Sequence, residues 1–168
     1  MNQSITFFTK DKIMGDLLAR YLTKKSDLEL TFVDSFDIPE AKIPPAVIAV
    51  DIDHHGDPIE FLKELRNEHP HSRLLVLTSH VSDYIIHHLT KMRNLSIAHK
   101  FDGVGYLLEA ITMCLENRAY SSPSIRALGK SFRSKAHPYR HLTSQNELVL
   151  RKLVSGQTKP KIAEDLGL

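Results

Sequence analysis

Chemically capable side chains stand at the ends of several short apolar runs. Asp51 ends the run AVIAVD, Thr78 ends RLLVLT and Lys100 ends the weaker run LSIAHK, while Phe8 and Thr9 close the first run. A carboxylate can attack a phosphoryl group, and a hydroxyl and an ammonium can hold the oxygens of the product. Whether these groups meet depends on the elements that carry them.

A second group of candidate residues is the triplet Asp53, His54 and His55 within DIDHHG. It matches the D-H-H signature of a phosphoesterase family, and carboxylates and imidazoles at this spacing can bind Mn²⁺ or Zn²⁺. Such enzymes need further Asp and His motifs upstream, and the first 45 residues contain no histidine. A metal-dependent phosphoesterase is therefore the less favoured hypothesis, and we expect no metal site.

The apolar runs alternate with amphipathic stretches, which predicts a sheet covered by helices. Five runs are β-like, at 4–8, 28–33, 46–51, 73–78 and 95–100. The third and fourth are almost continuously apolar, as in parallel strands that are buried on both faces. The pattern predicts an α/β fold, a flavodoxin-like doubly wound five-stranded parallel sheet of order 2-1-3-4-5. Ligands bind beyond the carboxyl ends of such strands, so the residues above should share one edge.

The pattern changes after residue 120. Residues 121–141 are rich in Ser, Lys and Arg, which predicts a basic linker with one helical turn at most. Residues 142–168 contain two short helical stretches joined at Gly156. They predict a partial all-α helix-turn-helix, truncated before the recognition helix that would follow Leu168.

Polar residues at the starts of the periodic stretches predict helix caps. Asp102 precedes the last apolar stripe of the first domain and is a candidate N-cap. Ser144 and Glu147 have the spacing of a capping box. Thr158 can cap the final helix, with Pro160 tolerated in its first turn.

Charge divides the chain into two unlike parts. The whole sequence has 22 Lys and Arg against 20 Asp and Glu, a formal +2. Residues 1–120 carry −4, whereas residues 121–168 carry +6. Such asymmetry suggests a different partner for each part.

Three features predict a cytoplasmic protein. The one cysteine, Cys114, cannot form an internal disulfide, which favours a reducing compartment. The sequence contains no apolar run of the roughly 18–20 residues that a membrane helix needs. The N-terminus has no signal-peptide pattern.

The motifs resemble response regulators of the NarL/FixJ type, which join a receiver domain to a LuxR-type helix-turn-helix. LTSQNELVLRKLVSGQTKPKIAEDLGL is similar to the opening pattern of that DNA-binding domain, LTxREREVLxLxAxGxSNKEIAxxLGL. AVIAVD resembles the strand that carries the phosphoacceptor aspartate, and HPHSRLLVLTSH the strand that carries the switch hydroxyl. KFDGVGYLLEAI resembles the segment that follows the phosphate-binding lysine. RAYSSPSI resembles the segment by which the chain leaves the receiver.

The resemblance assigns roles to individual residues. Asp51 would be the phosphoacceptor, Thr78 the switch hydroxyl and Lys100 the phosphate-binding cation. From the residues alone, Asp51 could equally be a strand-end residue that caps a loop or pairs with Lys100. In the DNA-binding part, Lys159 and Lys161 are candidates for contacts to the DNA backbone.

The first strand departs from the family. Phe8 and Thr9 occupy the positions of its two acidic residues, and neither supplies the carboxylate that Mg²⁺ prefers. Asp11 would substitute only if the first loop were reshaped, and Asp53 only if it turned inward. The aromatic switch position is Ile97. We therefore predict an atypical receiver in which Mg²⁺ binding is weak or absent and metal-dependent phosphorylation of Asp51 is lost or weak.

The predicted function is transcription regulation by a two-component-like protein that is not an enzyme. An atypical receiver (1–120) would control a LuxR-type module (142–168), which would bind DNA once its helix-turn-helix is complete. A homodimer, a histidine kinase as a possible partner and no membrane contact are expected. The alternative is a truncated dimerisation or adaptor protein that antagonises a full-length relative.

Overall fold

The structure of the protein is a computed structural model. The described residues are 4–22, 28–35, 44–79, 83–92, 94–134, 143–154 and 156–167. These ranges include the candidate site residues Phe8, Thr9, Asp51, Thr78 and Lys100. The side chains of His54, Ser144 and Glu147 lie outside the described residues. The chain divides into two compact units, Met1–Ser131 and Phe132–Leu168.

The first unit contains a five-stranded parallel sheet of order β2-β1-β3-β4-β5. Its strands are β1 (Ser4–Phe8), β2 (Glu29–Val33), β3 (Val47–Asp51), β4 (Arg73–Thr78) and β5 (Leu95–His99). The predicted fold class and strand order are confirmed. Every residue of β3 is buried, as are five of the six in β4, because helices cover both faces of these central strands.

Four helices of the first unit follow strands. They are α1 (Lys12–Leu22), α2 (Pro58–Glu68), α3 (Asp83–Lys91) and α4 (Val104–Leu115). Short 3-10 turns also follow β3 (Ile52–His54) and β5 (Lys100–Asp102). The start of α2 shows the local logic, because Asp57 accepts a hydrogen bond from the Glu60 N–H and Pro58 stands in the first turn.

The core forms because alternate strand residues point to opposite faces of the sheet. One cluster joins strand side chains such as Phe7 and Leu75 to α1 and α4, including Leu18 and Ile111. On the other face, Phe8 makes an edge-to-face contact with Phe61 of α2, with ring centroids 5.7 Å apart. Side chains therefore pack on both faces of the central strands β1, β3 and β4, whose carboxyl ends lie at one edge of the sheet.

The segment after α4 differs from the predicted linker. Residues 123–134 form a helix, α5 (Pro123–Ser134), and Ile125 within it is buried. Just before it, the Ile97 N–H donates to the Tyr120 carbonyl and the Ser122 N–H donates to the Ile97 carbonyl. These bonds place the chain along the open edge of β5. Burial of Ile125 offsets the unfavourable Ser and Gly content, which is why tertiary contacts override the linker-like composition.

The predicted cap of α4 is wrong. Gly103 is the N-cap and makes no side-chain capping bond. Asp102 lies one residue earlier and accepts hydrogen bonds from the Ser124 N–H, at 3.0 Å, and from the Ser124 hydroxyl. The Asp102 carboxylate thus satisfies the first turn of α5 instead, because the 3-10 turn after β5 aims it there.

The second unit contains α6 (Ser144–Val154) and α7 (Lys159–Leu166). α6 begins at Ser144, one residue earlier than the capping-box spacing implies. Thr143 precedes the helix, and its hydroxyl accepts a hydrogen bond from the Asn146 N–H at 3.2 Å. Thr158 is the N-cap of α7, but its side chain makes no capping bond. The two helices are joined by Lys152 and Asp165, whose charged atoms lie 2.7 Å apart. None of the described helices is both long and apolar enough to cross a bilayer.

Candidate functional site at the carboxyl edge of the sheet

The sheet brings the predicted edge residues together. Asp51 ends β3 beside Leu77, and Thr78 ends β4 beside His99, so that Lys100 follows at the same height. Lys100 Nζ lies 2.6 Å from Asp51 Oδ1. Because parallel strands end on one side, this meeting follows from the topology rather than from any local motif.

Both oxygens of Asp51 have partners. Oδ1 accepts from Lys100 and from the Asp53 N–H at 3.2 Å, and Oδ2 accepts from the Thr9 hydroxyl at 3.2 Å. The side chain has no solvent exposure. Asp51 also caps the 3-10 turn that follows β3. Asp51 therefore makes the contacts of a strand-end residue that caps a loop and pairs with Lys100.

Asp53 is the site residue whose role the sequence did not reveal. Its carboxylate accepts from the Thr78 hydroxyl at 2.8 Å and from the Ser79 N–H and hydroxyl at 2.9 and 2.6 Å. Lys100 Nζ lies 2.7 Å from its Oδ2, and the side chain is 7% exposed. From the sequence, Asp53 could replace a missing acid only if its side chain turned inward. The side chain does turn inward, because the capped 3-10 turn after Asp51 directs Asp53 toward β4.

The electrostatics of the site are balanced by one ammonium and several neutral donors. Burial alone would raise the pKa of Asp53, but the hydrogen bonds from Lys100, Ser79 and Thr78 outweigh it and lower that pKa to about 2. Burial would lower the pKa of Lys100, but its hydrogen bonds to Asp51 and Asp53 and their charges raise it. Lys100 is therefore protonated and Asp53 is ionised at neutral pH, so the two largely buried groups form an ion pair.

The residues at the end of β1 do not provide metal ligands. Phe8 is buried against α2, and the Thr9 hydroxyl is occupied by Asp51. Asp11 accepts from the Met14 N–H at 3.0 Å and so begins α1 instead of reaching the site.

The edge as built does not fit Mg²⁺. This ion needs oxygen ligands around it, yet the Lys100 ammonium occupies the space between the two nearest carboxylates. Over the part of the chain that the structure describes, no group of three or more His, Cys, Asp and Glu residues is arranged to hold a metal.

The D-H-H triplet does not converge on one point. Asp53 faces Thr78 and Lys100, whereas the His55 ring accepts from the Asp57 N–H at 3.1 Å and stacks on Phe61 with centroids 4.7 Å apart. Burial lowers the pKa of His55. Two of the three side chains thus have unrelated partners, and that of His54 lies outside the described residues.

The two DNA-backbone candidates lie at the start of α7. Both Lys159 and Lys161 are exposed. The Lys161 ammonium lies 3.0 Å from Glu164 and 3.4 Å from Asp165. Lys159 stands one residue after the N-cap of this helix.

Solved structures of response regulators share this architecture. RcsB from Salmonella enterica serovar Typhimurium, bound to the rprA promoter in the presence of the phosphomimetic BeF3−, superposes with a TM-score of 0.72 and 19% identity, over 99% of this chain and 84% of that one. A LuxR-family two-component response regulator from an Aurantimonas species gives 0.69 and 16%, over 80% of this chain and 100% of that one.

The isolated REC domain of RcsB gives a TM-score of 0.65 and 18% identity, over 76% of this chain and 99% of that one. No protein-family model matches the sequence, and no curated protein does. At these identities the likeness shows the fold alone. The chain has the fold of RcsB. The match also extends over both units of this chain, so the resemblance seen in its motifs is borne out at the level of architecture.

The lowered pKa of Asp53 predicts a contribution to stability that depends on pH. Because the folded pKa of about 2 lies below the ordinary 3.8, the contribution is present above about pH 4 and is lost as the pH falls toward 2. We expect Asp53→Asn to lower the free energy of unfolding by roughly 1–2 kcal/mol at pH 7, with most of the difference from wild type lost between about pH 4 and pH 2. Urea denaturation across this range measures it.

Asp16→Asn is the matched control, because Asp16 is exposed on α1. It should change the unfolding free energy by less than about 0.5 kcal/mol at any of these pH values. An Asp53→Asn difference that stays constant from pH 7 to pH 2 would contradict the assignment.

Proposed function

We propose that the chain is a two-component-like transcriptional regulator whose receiver domain works without metal-dependent phosphorylation of Asp51. The observation that carries this proposal is the state of Asp51, which is buried with both oxygens bonded to Lys100, Asp53 and Thr9. The receiver fold supplies the framework, and the DNA-binding part is proposed for residues 142–168.

The contacts of Asp51 argue against phosphoryl transfer. An attacking carboxylate oxygen must be free to approach the donor in line, and the charge that develops must be neutralised by a metal ion. Here the ammonium of Lys100 already neutralises the carboxylate, and the ends of β1 provide Phe8 and Thr9 in place of acids. The same contacts argue against a histidine kinase that acts through Asp51.

The proposed DNA contact rests on charge and on fold. Residues 121–168 carry +6, and phosphate neutralisation by Lys and Arg supplies most non-specific DNA affinity. RcsB, which shares the fold across both units, was solved bound to promoters and as dimers on DNA. We propose that specific DNA binding requires a complete helix-turn-helix of which residues 142–168 form the first part, with backbone contacts from Lys159 and Lys161.

We also propose that the protein forms a homodimer. Three apolar side chains on α1, Ile13, Leu17 and Tyr21, are 75%, 60% and 40% exposed at helical spacing. On α4, Val104 is 56% and Tyr106 is 42% exposed. An exposed apolar stripe such as that on α1 favours contact with another protein surface. No catalytic activity is proposed for the chain.

The receiver proposal predicts that phosphodonors leave the protein unchanged. We expect incubation with Mg²⁺ and acetyl phosphate to give no phosphorylated species by intact mass, because Asp51 offers neither a free oxygen nor a metal partner. The REC domain of RcsB, which was solved with BeF3−, is the positive control. A phosphorylated species that disappears in Asp51→Asn would overturn the proposal.

The DNA proposal predicts that the 168-residue chain binds any DNA duplex weakly and in a salt-dependent manner. We expect a dissociation constant in the range of roughly 1–100 µM near physiological salt, measured by fluorescence anisotropy. Lys159→Gln should weaken binding and reduce the slope of log affinity against log salt by about 1.

Lys63→Gln removes the same charge from an exposed position on α2 and should leave the affinity and its salt slope unchanged. Equal losses in the two variants would show that net charge, and not the start of α7, determines DNA binding.

A further inference from the structure

The Asp53 carboxylate collects the donors that surround the end of the sheet. It accepts from the Thr78 hydroxyl, the Ser79 N–H, the Ser79 hydroxyl and the Lys100 ammonium, at distances between 2.6 and 2.9 Å. Two of these residues, Thr78 and Lys100, are those to which the resemblance assigns the binding of a phosphoryl group. Their partner in this protein is a carboxylate of the chain itself.

The Asp53 carboxylate also shares a cation with Asp51. Lys100 bridges the two aspartates, with Nζ at 2.6 Å from Asp51 and 2.7 Å from Asp53. The Asp53 oxygens therefore lie next to the Asp51 oxygens, on the side where β4 and β5 end. A carboxylate and a phosphoryl group are both anionic oxygen acceptors, so they satisfy the same charged and neutral donors.

We propose that Asp53 is a built-in substitute for the phosphoryl group, which permanently occupies the Thr78 hydroxyl, the Ser79 N–H and the Lys100 ammonium. This inference rests on the proposed function, because it concerns the regulation of the same site. It identifies Asp53 as the positioning residue for Thr78 and Ser79 at the end of β4, and it explains why the site needs no phosphodonor.

The local structure maintains this substitution. The Asp53 N–H donates to Asp51 at 3.2 Å, and the 3-10 turn over Ile52–His54 fixes the direction of the side chain. Ile52 in the same turn is buried, which anchors the turn against the core. The low pKa of Asp53 supports the geometry, because it keeps the carboxylate charged throughout the physiological range.

A competing explanation is that Asp53 only stabilises the fold, as any capping carboxylate would. The two explanations differ in what happens when the carboxylate is removed. A phosphoryl substitute leaves behind a space lined by the Thr78 hydroxyl, the Ser79 N–H and the Lys100 ammonium, which a free oxyanion can enter. A general fold contact leaves no such response.

The test is amide hydrogen exchange of Ser79, followed by NMR on the complete 168-residue chain. In Asp53→Ala we expect exchange at Ser79 to become at least about tenfold faster, since a hydrogen bond to a charged group is lost. Inorganic phosphate, compared with sodium chloride at equal ionic strength, should restore protection in this variant and leave the wild type unchanged. Because Asp51 repels anions, phosphate is tested up to tens of millimolar.

Two further variants sharpen the test. Asp53→Asn keeps the side-chain volume, so exchange at Ser79 should rise without any response to phosphate. Asp53→Ser, whose shorter side chain opens part of the same space, replaces Asp53→Ala should the latter not fold. Asp16→Ala removes an exposed carboxylate from α1 and should leave Ser79 as protected as in the wild type.

The proposal is overturned if Ser79 stays protected in Asp53→Ala, or if phosphate and chloride act alike on that variant. It is equally overturned if protection falls by one common factor across all strands. None of these readouts involves DNA, a partner or a phosphodonor, so the proposed regulatory function and this inference can fail separately.

Discussion

The arrangement of the site depends on one ammonium group held between two carboxylates. Lys100 follows β5, Asp51 ends β3 and Asp53 stands in the turn beyond it, and the Lys100 Nζ lies within 2.7 Å of both acids. A buried carboxylate without a partner costs several kcal/mol, and Lys100 is the cationic partner that the two aspartates share. The parallel sheet makes the contact possible because it ends all three segments at one edge.

Neutral hydrogen-bond donors complete the site because its carboxylates outnumber its ammonium groups. Two carboxylates face one ammonium, and the excess negative charge is met by neutral groups: the Thr9 hydroxyl on Asp51, and the Thr78 hydroxyl and Ser79 N–H on Asp53. In a metal-dependent receiver a divalent cation would supply this neutralisation. Here the chain supplies it internally, and this gives one physical reason for Thr9 at an expected acidic position.

Long-range features of the fold were predictable from the sequence, whereas the decisive contact was not. Continuous apolar runs predict buried parallel strands, and their order places Asp51, Thr78 and Lys100 at one edge. Asp53 could not be assigned because its direction depends on the φ and ψ values of a single 3-10 turn, which leave no periodic signal. The helix α5 was missed for a related reason, since the burial of Ile125 outweighs a composition typical of a linker.

The central claim is that Lys100 and Asp53 are coupled, and a double-mutant cycle measures it most directly. Lys100→Met, Asp53→Asn and the double variant are compared by urea denaturation at pH 7. The account predicts a coupling free energy of at least about 1.5 kcal/mol, against less than about 0.5 kcal/mol for the exposed pair Lys63 and Glu60 treated in the same way. Additive effects of the two substitutions would contradict it.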